Sequence, residues 1–187
     1  MKILVFFGSA RRKGETRAMV DAFSAAVGDD AEIEIIDSYR TDVRPCIDCR
    51  HCWTHRACAI KDGMQAIYEK IDAADGYVIA SPLYFHSVPG KLKVLFDRLQ
   101  VYWAGVLRGD KPVAKTKRGA MLLTGGSVSF KDQFLGAEIV GNGVISDLSA
   151  VPVGTVRFTD TDHRKVSEDE TVQREIQSLA ANMLGQA

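Results

Sequence analysis

Apolar positions along this chain fall into two periods that alternate from one end to the other. Ile3 to Phe7 is an unbroken apolar run, closed by Gly8. A short continuous run of this kind suits a strand buried on both faces of a parallel sheet. Residues 16–27, TRAMVDAFSAAV, then carry Met19, Val20, Phe23 and Val27 at the spacing of an amphipathic helix, which Gly28 ends. The alternation recurs. Further strands are predicted at 31–36, 77–80, 119–124 and 151–158, and further helices at 62–74, 91–103, 131–149 and 167–184. Asp62 and Ser167 are the expected caps of the first and last of these helices. Gly136, Gly141 and Gly143 blur the apolar face of the helix before the fifth strand. Residues 38–61 follow neither period and hold all four cysteines.

Strands that alternate with helices predict an α/β fold, a doubly wound five-stranded parallel sheet covered on both faces. The whole of 1–187 reads as one domain, with a cysteine-rich loop at 44–61. Ligands of such sheets bind beyond the carboxyl ends of the strands, where strand order reverses. Three polar, glycine-bearing loops are therefore expected on one edge: 8-GSARRKGET-16, 81-SPLYFHSVPG-90 and 124-TGGS-127.

Composition narrows the function. With 24 basic and 24 acidic residues, no electrostatic footprint for nucleic acid or an anionic membrane is expected. The N-terminal apolar run is too short for a signal-peptide core, and no run approaches a membrane span, so a soluble cytoplasmic protein is expected. Four cysteines in a reducing compartment point to metal or redox chemistry over structural disulfides.

The first loop joins a buried strand to a helix N-terminus, the arrangement that gathers backbone N–H groups and the helix dipole around an anion. Ser9, Arg11 and Thr16 add donors. The loop has neither G-x-G-x-x-G nor a Lys after Gly14. Dinucleotide and triphosphate sites are therefore disfavoured, and a monophosphate such as that of FMN suits it better; a solvated turn is the alternative. In the second loop Tyr84 and Phe85 would be exposed unless they cover something flat, as a tricyclic ring with apolar faces and polar edges would be. A core pair or a subunit contact would also explain them.

Cys46, Cys49, Cys52 and Cys58 form a C-x2-C-x2-C-x5-C run. Four-thiolate zinc sites more often use two well-separated pairs, and three evenly spaced cysteines with a near fourth suit a compact [4Fe–4S] run. Free thiols or a redox disulfide remain alternatives. Arg44, Arg50, His51, His55, Arg56 and Lys61 surround the run and are expected to offset cluster charge and lower thiol pKa values. Asp97–Arg98 reads as an internal ion pair or helix-end contact.

On the residues 8-GSARRKGET-16, the cysteine run through 58-CAIKDGMQAIYEKI-71, and 81-SPLYFHSVPGKLKVLFDR-98, the chain resembles the flavodoxin-like NAD(P)H-dependent FMN reductases, and among them the iron–sulfur flavoproteins. The resemblance implies a flavodoxin-like fold and bound FMN. Ser9, Arg11, Glu15 and Thr16 would hold its phosphate. Pro82, Leu83, Tyr84, Phe85 and His86, with Gly125, Gly126 and Ser127, would line its ring. Glu15 stands where Asn is common, so a backbone N–H is the expected contribution there. The implied activity passes electrons from NAD(P)H through FMN to a quinone, flavin or other small acceptor, with no catalytic side chain, in a homodimer or homotetramer. An iron–sulfur electron carrier serving a ferredoxin-like partner is the rival reading. A zinc or thiol regulatory module without flavin is a third.

Overall fold

A computed structural model of the chain describes residues 1–110 and 117–186. Five strands form one parallel sheet in the order β2-β1-β3-β4-β5: β1 (Lys2–Phe7), β2 (Glu32–Asp37), β3 (Gly76–Pro82), β4 (Lys117–Thr124) and β5 (Ala150–Phe158). The order reverses between β1 and β3, where Val5 pairs with Ile35 on one side and Val78 on the other. The doubly wound α/β reading holds, with a flavodoxin-like strand order.

The strand period of two sorts the apolar runs between the faces. Leu4, Phe6, Tyr77, Ile79, Met121 and Leu123 pack beneath α2 (Met64–Ala73), α3 (Gly90–Asp97) and α6 (Leu135–Asp147). Ile3, Val5, Phe7, Val78, Ala80, Ala120 and Leu122 face α1 (Glu15–Val27) and α7 (Glu170–Leu184). The central strands are buried on both sides, which is why they read as continuous apolar runs. Among the described residues no helix is long and apolar enough to cross a membrane.

Two local differences from the sequence reading have clear causes. The helix expected over 91–103 is two pieces, α3 and α4 (Gln100–Trp103), and α5 (Gly105–Arg108) follows them. The break comes where Arg98 N–H bonds Leu95 O and Leu99 N–H bonds Phe96 O, three residues back instead of four. The cap of α7 is Asp169, which accepts from the Val172 N–H, while Ser167 lies in a preceding 3-10 turn. Asp62 does accept from the Met64 N–H at 3.0 Å as α2 begins, but its carboxylate has a second occupation described below.

Candidate functional site

The loop after β1 leaves the sheet edge at Gly8, whose N–H bonds Ala80 O at 2.8 Å. Ser9 is buried, and its Oγ accepts from the Arg11 N–H at 3.2 Å, so this hydroxyl shapes the loop from within. Gly14 enters α1 in an extended conformation, and no side chain caps the helix. The first-turn amides are thus left to an outside acceptor, beside the exposed Arg11 and Arg12. The side chains of Glu15 and Thr16 turn elsewhere. The Glu15 carboxylate accepts from the Val166 N–H at 2.7 Å, and the buried Thr16 hydroxyl bonds that of Thr124 at 2.7 Å. These side chains tie the loop to the approach of α7 and to the end of β4.

The loop after β3 is built on its backbone. Leu83 N–H bonds Thr124 O, and Tyr84 and Ser87 exchange N–H···O bonds of 2.9 and 3.2 Å. The two residues between them, Phe85 and His86, have φ of 52° and 64°. That is the mirror-image turn with both central residues left-handed, a conformation that costs a bulky residue roughly 1–3 kcal/mol and that clusters at ligand sites. It persists here because α6 approaches closely. A Cβ on Gly136 would stand 2.3 Å from the His86 carbonyl oxygen. The glycine that blurs the helical pattern is therefore the seat of the turn.

Opposite, the loop after β4 is fixed by Gly125 N–H to Phe158 O at 2.8 Å and by Asp160 N–H to Ser127 O at 2.9 Å. The two loops enclose a cavity of about 380 Å³, within the range of small-ligand sites. Leu83, Phe85 and His86 line one side and Gly125, Gly126 and Ser127 the other. Phe130 and Gln133, which the sequence reading did not single out, complete the wall. Phe85 is fully exposed, and the His86 ring meets Phe130 edge-on at 6.0 Å. Gln133 is buried with its Nε2 donating to Ser127 Oγ at 3.2 Å, and its Oε1 has no partner. Pro82 ends β3 and Tyr84 stands beside the turn; neither lines the cavity. The only advance signal for Phe130 was its place just beyond the glycine loop. Gln133 gave none, because a lone Gln carries no pattern. Aromatic rings, small residues and an unpaired buried acceptor fit a flat heterocycle with a polar edge.

The cysteine loop forms a second site. Cys46, Cys49, Cys52 and Cys58 line one small cavity together with Ile60, Arg98 and Val101. Cys46 and Cys49 are exposed, while Cys52 and Cys58 are half-buried. Asp48 and Arg50, on either side of Cys49, both have positive φ. The basic residues are engaged by neighbours: Arg50, which also lines the cavity, lies over Trp53 at 4.7 Å, His51 stacks on His55 at 4.1 Å, and Arg108 donates to Cys52 O at 2.6 Å. The expected lowering of thiol pKa does not hold at Cys52. Burial pushes that thiol up, and Cys46, Cys58 and Cys49 push the same way. Among the described residues no group of three or more His, Cys, Asp or Glu side chains is arranged to hold a metal ion.

The chain has relatives among known proteins. The chain is 36% identical over 128 residues to an iron-sulfur flavoprotein of Methanosarcina thermophila, covering 68% of this chain and 64% of that one. It is also 36% identical over 99 residues to one of Methanocaldococcus jannaschii, covering 52% and 51%. In both cases the match spans less than two thirds of the relative. An NAD(P)H:quinone oxidoreductase from Methanothermobacter marburgensis shares the fold at a TM-score of 0.69 and 18% identity, over 100% of this chain and 96% of that one. The family described as NADPH-dependent FMN reductase matches residues 1–133, taking in the loop after β1, the cysteine loop and both walls of the larger cavity up to Gln133, and the chain belongs to that family.

Proposed function

We propose that the protein is an FMN-dependent oxidoreductase that draws electrons from NAD(P)H and delivers them to a quinone, flavin or other small acceptor. The observation that carries this is the 380 Å³ cavity between the loops after β3 and β4, at the carboxyl edge of the sheet and one strand from its switch point. Bound there, FMN supplies the hydride and electron chemistry. The chain's own residues bind and orient. The uncapped start of α1 and Arg11 suit the phosphate. Gly125 to Ser127 allow backbone to approach the ring edge, Gln133 Oε1 is free to accept from it, and His86 with Phe130 shield one side from water. No side chain is needed as nucleophile or base.

Phe85 and Phe130 are exposed on the cavity wall, and Leu135 and Ile139 are exposed on α6, which favours a second copy covering them in a homodimer or homotetramer. The test is the visible spectrum of anaerobically purified protein, followed by addition of NADH or NADPH. Flavin bands that bleach with pyridine nucleotide and recover with a quinone are expected. A protein that neither carries nor takes up FMN would sink the proposal.

The cysteine loop supports a second element, a [4Fe–4S] cluster, and with it the reading as an electron carrier for a ferredoxin-like partner. Four thiols line one cavity, and the relatives that the chain matches are named iron-sulfur flavoprotein. A cluster seats each thiolate on a different iron, so it does not ask three side chains to converge on one ion as zinc does. The space between the thiols is about 30 Å³, so Cys46 and Cys49, on the exposed rim, must swing outward to admit a cluster. Iron and acid-labile sulfide assayed on the same sample decide this element separately from the flavin. A colourless protein containing zinc would favour the regulatory module instead.

A further inference from the structure

Arg98 follows α3, and its side chain is wholly buried, as is the Asp62 carboxylate that it meets. Its Nη1 donates to Asp62 Oδ2 and to Arg44 O, both at 2.8 Å. Its Nη2 donates to Asp62 Oδ1 and to Ile60 O, both at 3.2 Å. Asp62 also accepts from the Arg44 N–H at 2.9 Å. One guanidinium therefore grips both ends of the cysteine run, before Cys46 and after Cys58, and closes the loop at its neck. The Tyr68 hydroxyl donates to Arg98 O at 2.7 Å and holds the residue in place.

Two further facts set Arg98 apart from an ordinary structural ion pair. It is among the residues that line the cavity of the four cysteines, whereas Asp62 is not, so the pair meets this site through Arg98. Its Nε–H is buried and has no acceptor. An unpaired buried donor costs about 1–3 kcal/mol, and such a group in a folded protein calls for a partner. Asp48 and Asp97 also line the cavity, but they are water-exposed and paired with Arg50 and Lys93. Arg50 also lines the cavity, but its side chain is 62% exposed and paired with Asp48, so its field is screened by solvent as those of the loop's other exposed cations are.

We propose that Arg98 is the positioning residue of the cysteine site, holding the loop closed through Asp62 and presenting a buried cation and a spare N–H to the sulfur of a [4Fe–4S] cluster, which raises the cluster's reduction potential. This rests on the cluster reading above. One-electron reduction of such a cluster, by dithionite in the test, adds one negative charge; no bond forms or breaks and no proton is taken up. A fixed cation in a poorly solvated wall stabilises the more negative state, so removing it disfavours reduction.

The experiment compares anaerobic wild-type holoprotein with the double variant Arg98→Met/Asp62→Asn, which leaves no bare buried charge. Iron, sulfide and flavin are assayed, and the cluster is titrated with dithionite under electron paramagnetic resonance. The variant should keep FMN. Its ratio of reduced to oxidised cluster at a fixed potential should fall about tenfold, a downward shift of about 59 mV for a one-electron couple. Loss of iron with flavin retained also supports the inference, because it shows the neck holding the site. A cluster of wild-type content and wild-type potential overturns it. Should the double variant fail to fold, Arg98→Lys decides: it keeps the pair with Asp62 and deletes the Nε–H, so a lowered potential supports the inference and an unchanged one overturns it. Wild-type protein without iron and sulfide removes the cluster reading itself, a result distinct from either.

Discussion

The turn at 84–87 and the cysteine loop at 44–61 are both loops that present chemistry, yet they are held in opposite ways. The turn is set by backbone: strand ends on either side, paired N–H···O bonds, and a glycine on α6 that lets the His86 carbonyl come close. The cysteine loop makes few such bonds and depends on one buried ion pair at its neck. The first device follows from the fold, because the carboxyl edge of a parallel sheet brings strand ends together wherever the chain adopts it. The second must be supplied by particular side chains far apart in sequence. Damage to the turn should therefore show first as lost ligand affinity, and damage to the neck as lost stability.

The largest effect should come from the neck. Asp62→Ala leaves the Arg98 guanidinium buried without its carboxylate, a defect that costs about 3–5 kcal/mol, and it also strips an acceptor from the Arg44 and Met64 amides. Urea unfolding at neutral pH measures it. The pH dependence carries the sign. Burial alone would raise the Asp62 pKa, but the Arg98 hydrogen bonds, the Arg44 and Met64 amides and the Arg98 charge more than offset it, and the carboxyl sits below its ordinary 3.8. A depressed carboxylate contributes its stability above the unfolded value and loses it as pH falls through the folded one. The gap between wild type and Asp62→Ala should thus be full above pH 4 and close as pH falls below 3.8. A gap that stays constant into that range would mean that the carboxylate charge is not what holds the neck.

The next effect separates the two regions. Gly136→Ala places a methyl 2.3 Å from the His86 carbonyl, so the turn or the helix must shift. Overpacking of this kind costs about 1–3 kcal/mol. Because the displaced atoms belong to the cavity wall, FMN affinity should fall roughly tenfold, the equivalent of about 1.4 kcal/mol, while any iron content stays at its wild-type level. Fluorescence titration with FMN reads the first and an iron assay the second. Equal losses of both would mean that the two sites are not held independently.

This contrast also explains what the sequence could tell. The sheet, its helices and the three edge loops were legible because buried strands write themselves as apolar runs and helices as a period of 3.6. Gly136 and Gly141 look like noise in that pattern until their neighbours are known: one seats the turn, and the other lies against Met121. The cysteines were legible from spacing, but the partner of Arg98 was not. Asp97, beside it, pairs with Lys93 one helical turn back on the same helix, while Arg98 reaches 36 residues back to Asp62. Local spacing carries no information about such a pair. The Glu15 carboxylate, where only a backbone N–H was expected to contribute, reaches Val166. Thr16 shows the converse: its place in the loop suggested a side-chain donor, but a tertiary contact with Thr124 engages its hydroxyl.

That last contact gives a smaller prediction. Thr16→Val leaves the Thr124 hydroxyl buried without its partner, at a cost of about 1–3 kcal/mol. If Thr16 meets the phosphate through its backbone alone, the affinity for FMN should change less than twofold once the variant is measured well below its unfolding transition. A larger fall, at unchanged fold, would return the side chain to the phosphate.

The smallest effect lies behind the glycine loop. The turn at 160–164 backs Gly125 and Ser127 through the Thr161 and Asp160 amides, and His163 Nδ1 lies 2.7 Å from Asp160 Oδ1. That hydrogen bond, then the charge of Asp160, raises the imidazole above its ordinary 6.5. A raised histidine contributes fully below its unfolded value and loses the contribution as pH rises through the folded one. The His163 side chain is 80% exposed, so the change should be slight and salt-sensitive. FMN dissociation should quicken modestly as pH climbs above 6.5 in the wild type and stay flat over the same range in His163→Gln. An identical rise in both proteins would move the pH dependence off this turn and onto the ligand or the phosphate loop, leaving the flavin wall dependent on backbone alone.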